Sequence, residues 1–205
     1  FIYGHPFEKT YFLRGTVPTG VASFTIKGSL PEPAFFCARA FTKYLKGNGI
    51  EVTGTPTTAR LLAIAGKTSP AERVEIFRQE SAPVSAIIVP TNHKSINLYA
   101  ECLHRLIGLK VRERGTTLDA SKAVHGYWKE RGVDLDGFVM ADGCGLSRAN
   151  LISAKQLAHM LHATANSETG EVFLRSLPVA GRSGTVKSIG RGSAAEGKVA
   201  AKSGT

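Results

Sequence analysis

The sequence predicts an α+β fold in which helices pack against an antiparallel sheet, and two observations support this. Strand-like runs dominate up to a composition shift at residues 66–83, and apolar residues at helical spacing dominate afterwards. A further strand-like run occupies residues 198–205. With 205 residues, 42% of them hydrophobic, the chain can bury a core, and no apolar run approaches the ~20 residues of a membrane span.

The first part of the chain predicts two strands, a helix and a further strand. A turn-rich segment separates two apolar runs, which favours a β-hairpin over residues 10–28. Two prolines open a helix predicted at 34–46, and Gly47 or Gly49 should supply its left-handed stop. Residues 51–53 predict a short strand.

The second part predicts five helices and a final strand. The helices are expected at about 69–78, 84–90 and 95–108, after Asp119 as far as Gly132, and after Ser153. The sequences at 69–72 and 153–156 have the form of capping boxes. A glycine-rich surface loop at 181–197 should precede the strand, which begins near Lys198.

Apolar side chains at helical spacing predict which face of each helix packs inward. The expected faces are Leu98, Cys102 and Leu106 in the third helix, Val124, Tyr127 and Trp128 in the fourth, and Leu157, Met160 and Leu161 in the fifth. By the same criterion Cys37 and Cys102 are predicted to be buried thiols.

The charge of the chain is strongly positive and unevenly distributed. Its formal net charge is +10, which indicates an anionic partner. Residues 172–205 hold six basic residues and one acidic residue, but no aromatic residue after Phe173. Because single-stranded nucleic acids are usually bound with interleaved aromatic side chains, we expect no nucleic-acid partner and place most of these charges on a solvated face.

Cysteine and histidine spacing predicts no metal site and no disulfide framework. The three cysteines are far apart and odd in number. His159 and His162 share a helix face, but no third ligand is evident. We therefore expect no metal and no cofactor.

Two short motifs carry the candidate chemistry. Ser95-Ile96-Asn97 and Lys202-Ser203-Gly204 follow the pattern and order of S-D-N and K-T-G, two of the three signatures of the serine penicillin-recognising enzymes. The third signature, S-x-x-K, holds the nucleophile and is absent before Ser95. We therefore expect the chain to be a piece of a longer protein that is inactive by itself.

Four ordered blocks extend this similarity to a family. They are residues 95–101, residues 142–151, residues 177–185 and residues 198–205. Together they resemble the DacB-type D-alanyl-D-alanine carboxypeptidases, the class C low-molecular-mass penicillin-binding proteins. Cys144 stands where that family usually has Ser, and Ser203 where it usually has Thr, whose hydroxyl Ser203 retains.

The resemblance implies a partial serine penicillin-recognising fold, similar to β-lactamases and transpeptidases, together with part of an inserted β-rich domain. Residues 1–80 would be the end of that accessory region and its return linker, and residues 81–205 part of the catalytic domain. It also implies an exported, periplasmic or wall-facing enzyme. That enzyme would remove D-Ala from peptidoglycan stem peptides through a serine ester, with possible endopeptidase activity, and β-lactams would inhibit it.

The same resemblance assigns roles to the motif residues. Ser95 would relay a proton to the leaving amine, Asn97 would hold the missing lysine and a substrate amide, and Lys202 would raise the local positive potential. Ser203, Gly204 and Thr205 would bind substrate. The Thr205 N–H would be one of the oxyanion donors, each worth ~3 kcal/mol of transition-state stabilisation.

Simpler interpretations of these residues stay open on sequence alone. Ser95 could cap the helix that follows it, and Asn97 and Lys202 could be solvated. The chain could then be a non-catalytic protein that binds cell-wall peptides. Alternatively, its basic C-terminal segment could bind an anionic polymer.

Overall fold

The computed structural model describes residues 1–4, 10–26, 28–68 and 74–204. It contains two compact units, Phe1–Arg78 and Gln79–Thr205. No described residue of the first unit is buried, whereas the second unit contains the buried positions. The assignment of residues 1–80 to an accessory region and 81–205 to a catalytic domain stays a prediction.

The first unit begins with two short antiparallel strands, β1 (Ile2–Tyr3) and β2 (Phe12–Leu13). The predicted hairpin is therefore wrong in its pairing, since residues 22–26, the second of its two apolar runs, form no strand. Instead, Ile2 and Tyr3 pair with Leu13 and Phe12 of β2. Phe1 and Arg14 extend this pairing through two backbone hydrogen bonds of 2.7 and 3.0 Å.

Two helices follow in this unit. α1 (Pro33–Gly47) confirms the predicted helix, and Gly49, with a φ of 77°, lies at its left-handed stop. α2 (Ala59–Ile64) was not predicted, although the hydroxyl of Thr58 caps it. The strand expected at 51–53 is absent from the described chain. Of the helix expected at 69–78, residues 69–73 lie outside the described residues, and residues 74–78 are not helical.

The second unit is mainly helical. Its helices are α3 (Val84–Lys94), α4 (Asn97–Arg112), α5 (Thr117–Glu130), α6 (Ala154–Ala165) and α7 (Gly170–Ser176). α4 packs along α5, and α7 packs against both α3 and α6. A 3₁₀ turn at Gly184–Val186 lies against α3. The strand expected from Lys198 is reduced to an isolated antiparallel bridge between Val179 and Ala200.

Two helices continue beyond their predicted ends. α3 includes Pro90, and α4 includes Gly108. Gly108 is buried, and a Cβ there would lie 2.7 Å from the backbone nitrogen of Ala120 on α5. Gly108 therefore allows two helices to approach closely and does not end α4.

The structure also corrects which helix faces are buried. In α4, Leu98 and Leu106 are 68% and 53% exposed, and the buried residues are His104 and Gly108. Cys37 and Cys102 are both exposed, so the prediction of buried thiols is wrong. In α5 the buried residues are Asp119, Ala120 and Ala123, whereas Val124 and Trp128 are half-buried and Tyr127 is exposed. In α6 the prediction is confirmed for Met160, which is buried, and wrong for Leu157 and Leu161, which are about half exposed.

The buried faces of α4 and α5 are set by close packing of small residues. Gly108, Ala120 and Ala123 let the α4 and α5 backbones approach, which the larger apolar side chains would prevent.

The capping box that opens α6 is confirmed, because Ser153 and Gln156 exchange side-chain and backbone hydrogen bonds of 2.8 and 3.2 Å. In the described part of the chain, no helix combines the length and apolarity needed to cross a membrane.

Candidate functional site

Ser95 lies at the junction between α3 and α4. It ends α3 with φ 51° and ψ 53°, in the left-handed region. A non-glycine residue there costs about 1–2 kcal/mol, and such positions cluster at functional sites. Its hydroxyl has no hydrogen-bond partner within residues 1–4, 10–26, 28–68 and 74–204.

The structure contradicts the interpretation of Ser95 as a helix N-cap. The N-cap of α4 is Ile96, which provides no side-chain hydrogen bond. Asn97 is the first residue of α4 and is exposed. Its amide, like the Ser95 hydroxyl, is unpaired among the residues that the structure describes.

Lys202 lies in an extended segment that is anchored by its backbone. The Val179–Ala200 bridge precedes it, and the Ala201 N–H donates to the Pro178 carbonyl at 2.9 Å. Lys202 is exposed, and its Nζ donates to the carbonyl of Ser203. No carboxylate of the described residues pairs with it.

The remaining predicted substrate-binding residues follow Lys202. Ser203 is half-buried and Gly204 is exposed. Thr205, predicted to supply an oxyanion N–H, lies outside the described residues. Among the described residues, a single antiparallel bridge and no continuous strand leads to Lys202.

One buried segment supports both motifs. Ser176 and Pro178 are among the most buried residues, and the Asn92 amide on α3 donates to the Ser176 hydroxyl at 2.8 Å. A Cβ on Gly184 would lie 2.8 Å from the Pro178 side chain and 3.1 Å from the Cα of His93. The end of α3 and the segment before Lys202 are thus both attached around Pro178. Within the described residues, no hydrogen bond joins the side chains of Ser95, Asn97 and Lys202.

A polar loop at residues 142–150, here called the Asp142 loop, packs on α4 and was missed as a site element. Both carboxylate oxygens of Asp142 are used: they accept the backbone N–H groups of Gly145 and Ser147 and the side-chain amide of Asn150. Partial burial acts to raise the pKa of Asp142, but these hydrogen bonds outweigh it and lower the pKa. A short-range signal was available, since Asp and Asn in a glycine-rich segment are typical of a turn that is bonded to its own backbone.

The Asp142 loop is joined to α4 by Glu101. One oxygen of this carboxylate, Oε1, accepts the N–H groups of Gly143 at 2.7 Å and Cys144 at 3.0 Å. Beneath the loop, the buried His104 has its Nε2 3.5 Å from the Ser121 hydroxyl. Burial lowers the pKa of His104, although Glu101 and Asp142 act in the opposite direction.

The side chains of Glu101, Asp142 and Cys144 bring possible ligand atoms within 4.8 Å of one another. The Glu101 and Asp142 oxygens already accept hydrogen bonds from the loop. Burial raises the pKa of the Cys144 thiol. This donor set fits a hydrogen-bonded loop anchor better than a metal centre, and the expectation of no metal stays a prediction.

The chain is similar to several known carboxypeptidases. It is 33% identical over 202 residues to a D-alanyl-D-alanine carboxypeptidase of Actinomadura sp., and 24% identical over 183 residues to the D-alanyl-D-alanine carboxypeptidase DacB of Haemophilus influenzae. These matches cover 96% and 89% of the chain, which spans 36% of the length of each relative.

The fold is also similar to a solved structure. The crystal structure of penicillin binding protein 4 (dacB) from H. influenzae, complexed with a β-lactam, superposes with a TM-score of 0.72. The match covers 83% of this chain and 38% of that one, at 24% identity. It confirms the predicted α+β, partial penicillin-recognising fold.

A family model extends the similarity over nearly the whole sequence. It matches residues 5–205 and describes the D-Ala-D-Ala carboxypeptidase 3 (S13) family. This agrees with the family indicated by the four sequence blocks. The chain therefore belongs to the D-Ala-D-Ala carboxypeptidase 3 (S13) family.

Proposed function

We propose that the protein containing this chain is a serine-type D-Ala-D-Ala carboxypeptidase that acts on peptidoglycan stem peptides through an acyl-enzyme. The observation that carries the proposal concerns Ser95: its backbone is in the left-handed region, and its hydroxyl is unpaired among the described residues. A serine in this strained position, whose hydroxyl neither caps α4 nor bonds to a neighbouring residue, is available for proton transfer.

The proposed roles follow from the chemistry of the three side chains. Ser95 carries a hydroxyl that donates and accepts, so it can relay a proton to the departing D-Ala amine. Asn97, without charge, can donate to one group and accept from another. Lys202 supplies a positive charge that favours the terminal carboxylate of the peptide, and no described acid neutralises it.

The nucleophile must come from elsewhere in the protein, because an attacking serine needs an adjacent base and this chain has no S-x-x-K before Ser95. The chain alone should therefore not turn over substrate. We extend the proposal to an exported, wall-facing location, to possible endopeptidase activity, and to inhibition by β-lactams. The β-lactam complex of the H. influenzae relative supports the last point.

The test uses the full-length protein and its Ser95→Gly variant. Glycine favours the left-handed conformation, so this change removes the hydroxyl without adding strain. Ser85→Ala is a matched control, since Ser85 is exposed on the same α3 helix. We expect the release of D-Ala from a pentapeptide to fall about 100-fold or more in Ser95→Gly and to be unchanged in Ser85→Ala. Full activity of the Ser95→Gly variant would contradict the proposal.

The basic C-terminal segment supports a second candidate, the binding of an anionic polymer. Of its described basic residues only Arg175 forms an ion pair, with Glu171, and the others expose their charges. Binding of a wall polyanion that weakens steeply with salt and survives Lys202→Ala would favour this candidate. D-Ala release without such binding would exclude it as the main function.

A further inference from the structure

Glu101 occupies a position that links the Ser95–Asn97 junction to the rest of its unit. It lies in α4 four residues after Asn97, so the two side chains project from the same face, one turn apart. The start of α4 has no capping side chain, because its N-cap is Ile96. A helix end without a cap depends on tertiary contacts to avoid fraying.

Glu101 makes such a contact with the Asp142 loop. Its Oε1 accepts two successive backbone N–H groups, from Gly143 at 2.7 Å and Cys144 at 3.0 Å. The carboxylate is half-buried, which strengthens a charge-assisted hydrogen bond. This double contact therefore holds the loop backbone to the second turn of α4.

The close approach of the loop requires glycine at position 143. A Cβ there would lie 2.4 Å from the Cβ of His104 and 3.0 Å from the carbonyl oxygen of Ala100. The loop backbone thus lies directly on α4, with Glu101 beside it. Any lengthening of the Glu101 contacts would lift the loop from the helix.

The Asp142 loop is stiffened internally, so it can act as a fixed support. Asp142 accepts three hydrogen bonds, and the Asn150 carbonyl oxygen accepts the N–H of Ala141 at 2.7 Å. The backbone bridge between Val139 and Leu151 closes the base of the loop. A rigid loop attached at one carboxylate fixes the helix turn to which it is attached.

We propose that Glu101 is a positioning residue: by attaching the second turn of α4 to the Asp142 loop, it fixes the first turn of the same helix and with it Asn97. This inference rests on the proposed function, since it gives Asn97 a task in the reaction. Glu101 itself touches no reacting atom in this scheme. It acts through the placement of its helix.

The test compares Glu101→Ala with Glu101→Gln in the full-length protein. The Gln carbonyl can still accept both N–H groups, whereas Ala removes the acceptor. Glu168→Ala, an exposed glutamate between α6 and α7, is the control. Two quantities are measured: hydrogen exchange of the Gly143, Cys144, Tyr99 and Ala100 amides, and kcat/KM for D-Ala release per site titrated with a fluorescent penicillin.

We expect Glu101→Ala to exchange these amides faster and to lose about tenfold to 100-fold in kcat/KM, because small displacements of a positioned group are costly. Glu101→Gln should keep the exchange rates and kcat/KM close to the wild-type values, and Glu168→Ala should change neither the exchange rates nor kcat/KM. Unchanged exchange in Glu101→Ala would overturn the attachment of the loop. Faster exchange with unchanged kcat/KM would overturn the positioning role.

The two proposals fail in different ways. A wild-type protein that releases no D-Ala would overturn the proposed function, and the positioning role would fall with it. The exchange data would still decide whether Glu101 attaches the loop. A wild-type protein that is active, with an equally active Glu101→Ala variant, would overturn only the inference about Glu101.

Discussion

Ser95 and Asn97 are held by helices, whereas Lys202 is held by a few backbone hydrogen bonds. The first pair lies where α3 ends and α4 begins, and Glu101 attaches α4 to the Asp142 loop. Lys202 follows an isolated bridge, and the N–H of Ala201 donates to the Pro178 carbonyl. The helical side therefore has local and tertiary support, while the extended side depends on one distant segment.

This difference teaches where each motif is vulnerable. Helix termini restrict Ser95 and Asn97 through bonds between residues close in sequence. Lys202 depends on pairing with residues some twenty positions earlier, which brings a larger loop-closure cost. Changes around Pro178 should therefore disturb Lys202 first, and changes beneath the Asp142 loop should disturb the helical side first.

The largest expected effect concerns the charge on the extended side. Lys202→Ala in the full-length protein should lower the second-order rate of acylation by a fluorescent penicillin about 100-fold or more, because it removes a preorganised charge from the site. Lys198→Ala is the control, as Lys198 is exposed and lies before the bridge. An equal loss in both variants would show that only general positive charge matters.

The next effect concerns the support shared by both motifs. Gly184 has a φ of 55°, and an added Cβ would meet Pro178 and the Cα of His93. Gly184→Ala should lower the free energy of unfolding by about 2–3 kcal/mol, through left-handed strain and overpacking. Urea unfolding measures it.

Gly192→Ala separates these two causes. Gly192 has a φ of 75° but nothing within 4 Å of an added Cβ. Gly192→Ala should therefore lower the free energy of unfolding only by the part that is due to left-handed strain. Equal losses in the two variants would contradict a packing role for Gly184.

A smaller effect tests the helical side through pH. The pKa of His104 is lowered from 6.5 by burial, so the unfolded state binds its proton more readily than the folded state does. Stability should therefore fall as the pH drops below 6.5, with a slope of at most about 1.4 kcal/mol per pH unit for this single proton.

The measurement is the melting temperature of the wild type and of His104→Gln between pH 7 and 5, taken at intervals of about half a pH unit. The melting temperature of His104→Gln should fall less steeply than that of the wild type as the pH is lowered from 7 to 5. His159→Gln, at an exposed position in α6, should keep the wild-type slope. A steeper slope in His104→Gln would reverse the sign of the argument.

The smallest effect concerns the residue after Lys202. Ser203→Thr keeps the hydroxyl and adds a methyl group, so we expect kcat/KM for D-Ala release to change by less than about threefold. Ser203→Ala, which removes the hydroxyl, should cost more. A Ser203→Thr loss as large as that of Ser203→Ala would show that shape at this position outweighs hydrogen bonding.

Local sequence signals determined much of the fold and the candidate residues. Prolines and glycines placed α1, the Ser153–Gln156 capping box placed α6, and four ordered blocks indicated the family. These features depend on residues within a few positions of one another, so a single sequence contains them. The same holds for Ser95, Asn97 and Lys202 as candidates.

Only the tertiary structure decided which surfaces meet. The apolar face of α4 stays exposed, and Gly108 packs on Ala120 where a helix end was expected. Ser95 ends one helix and does not cap the next, and Glu101 finds its partners some forty residues away. Burial and these hydrogen bonds depend on residues that are distant in sequence, and no local sequence pattern specifies which distant residues come into contact.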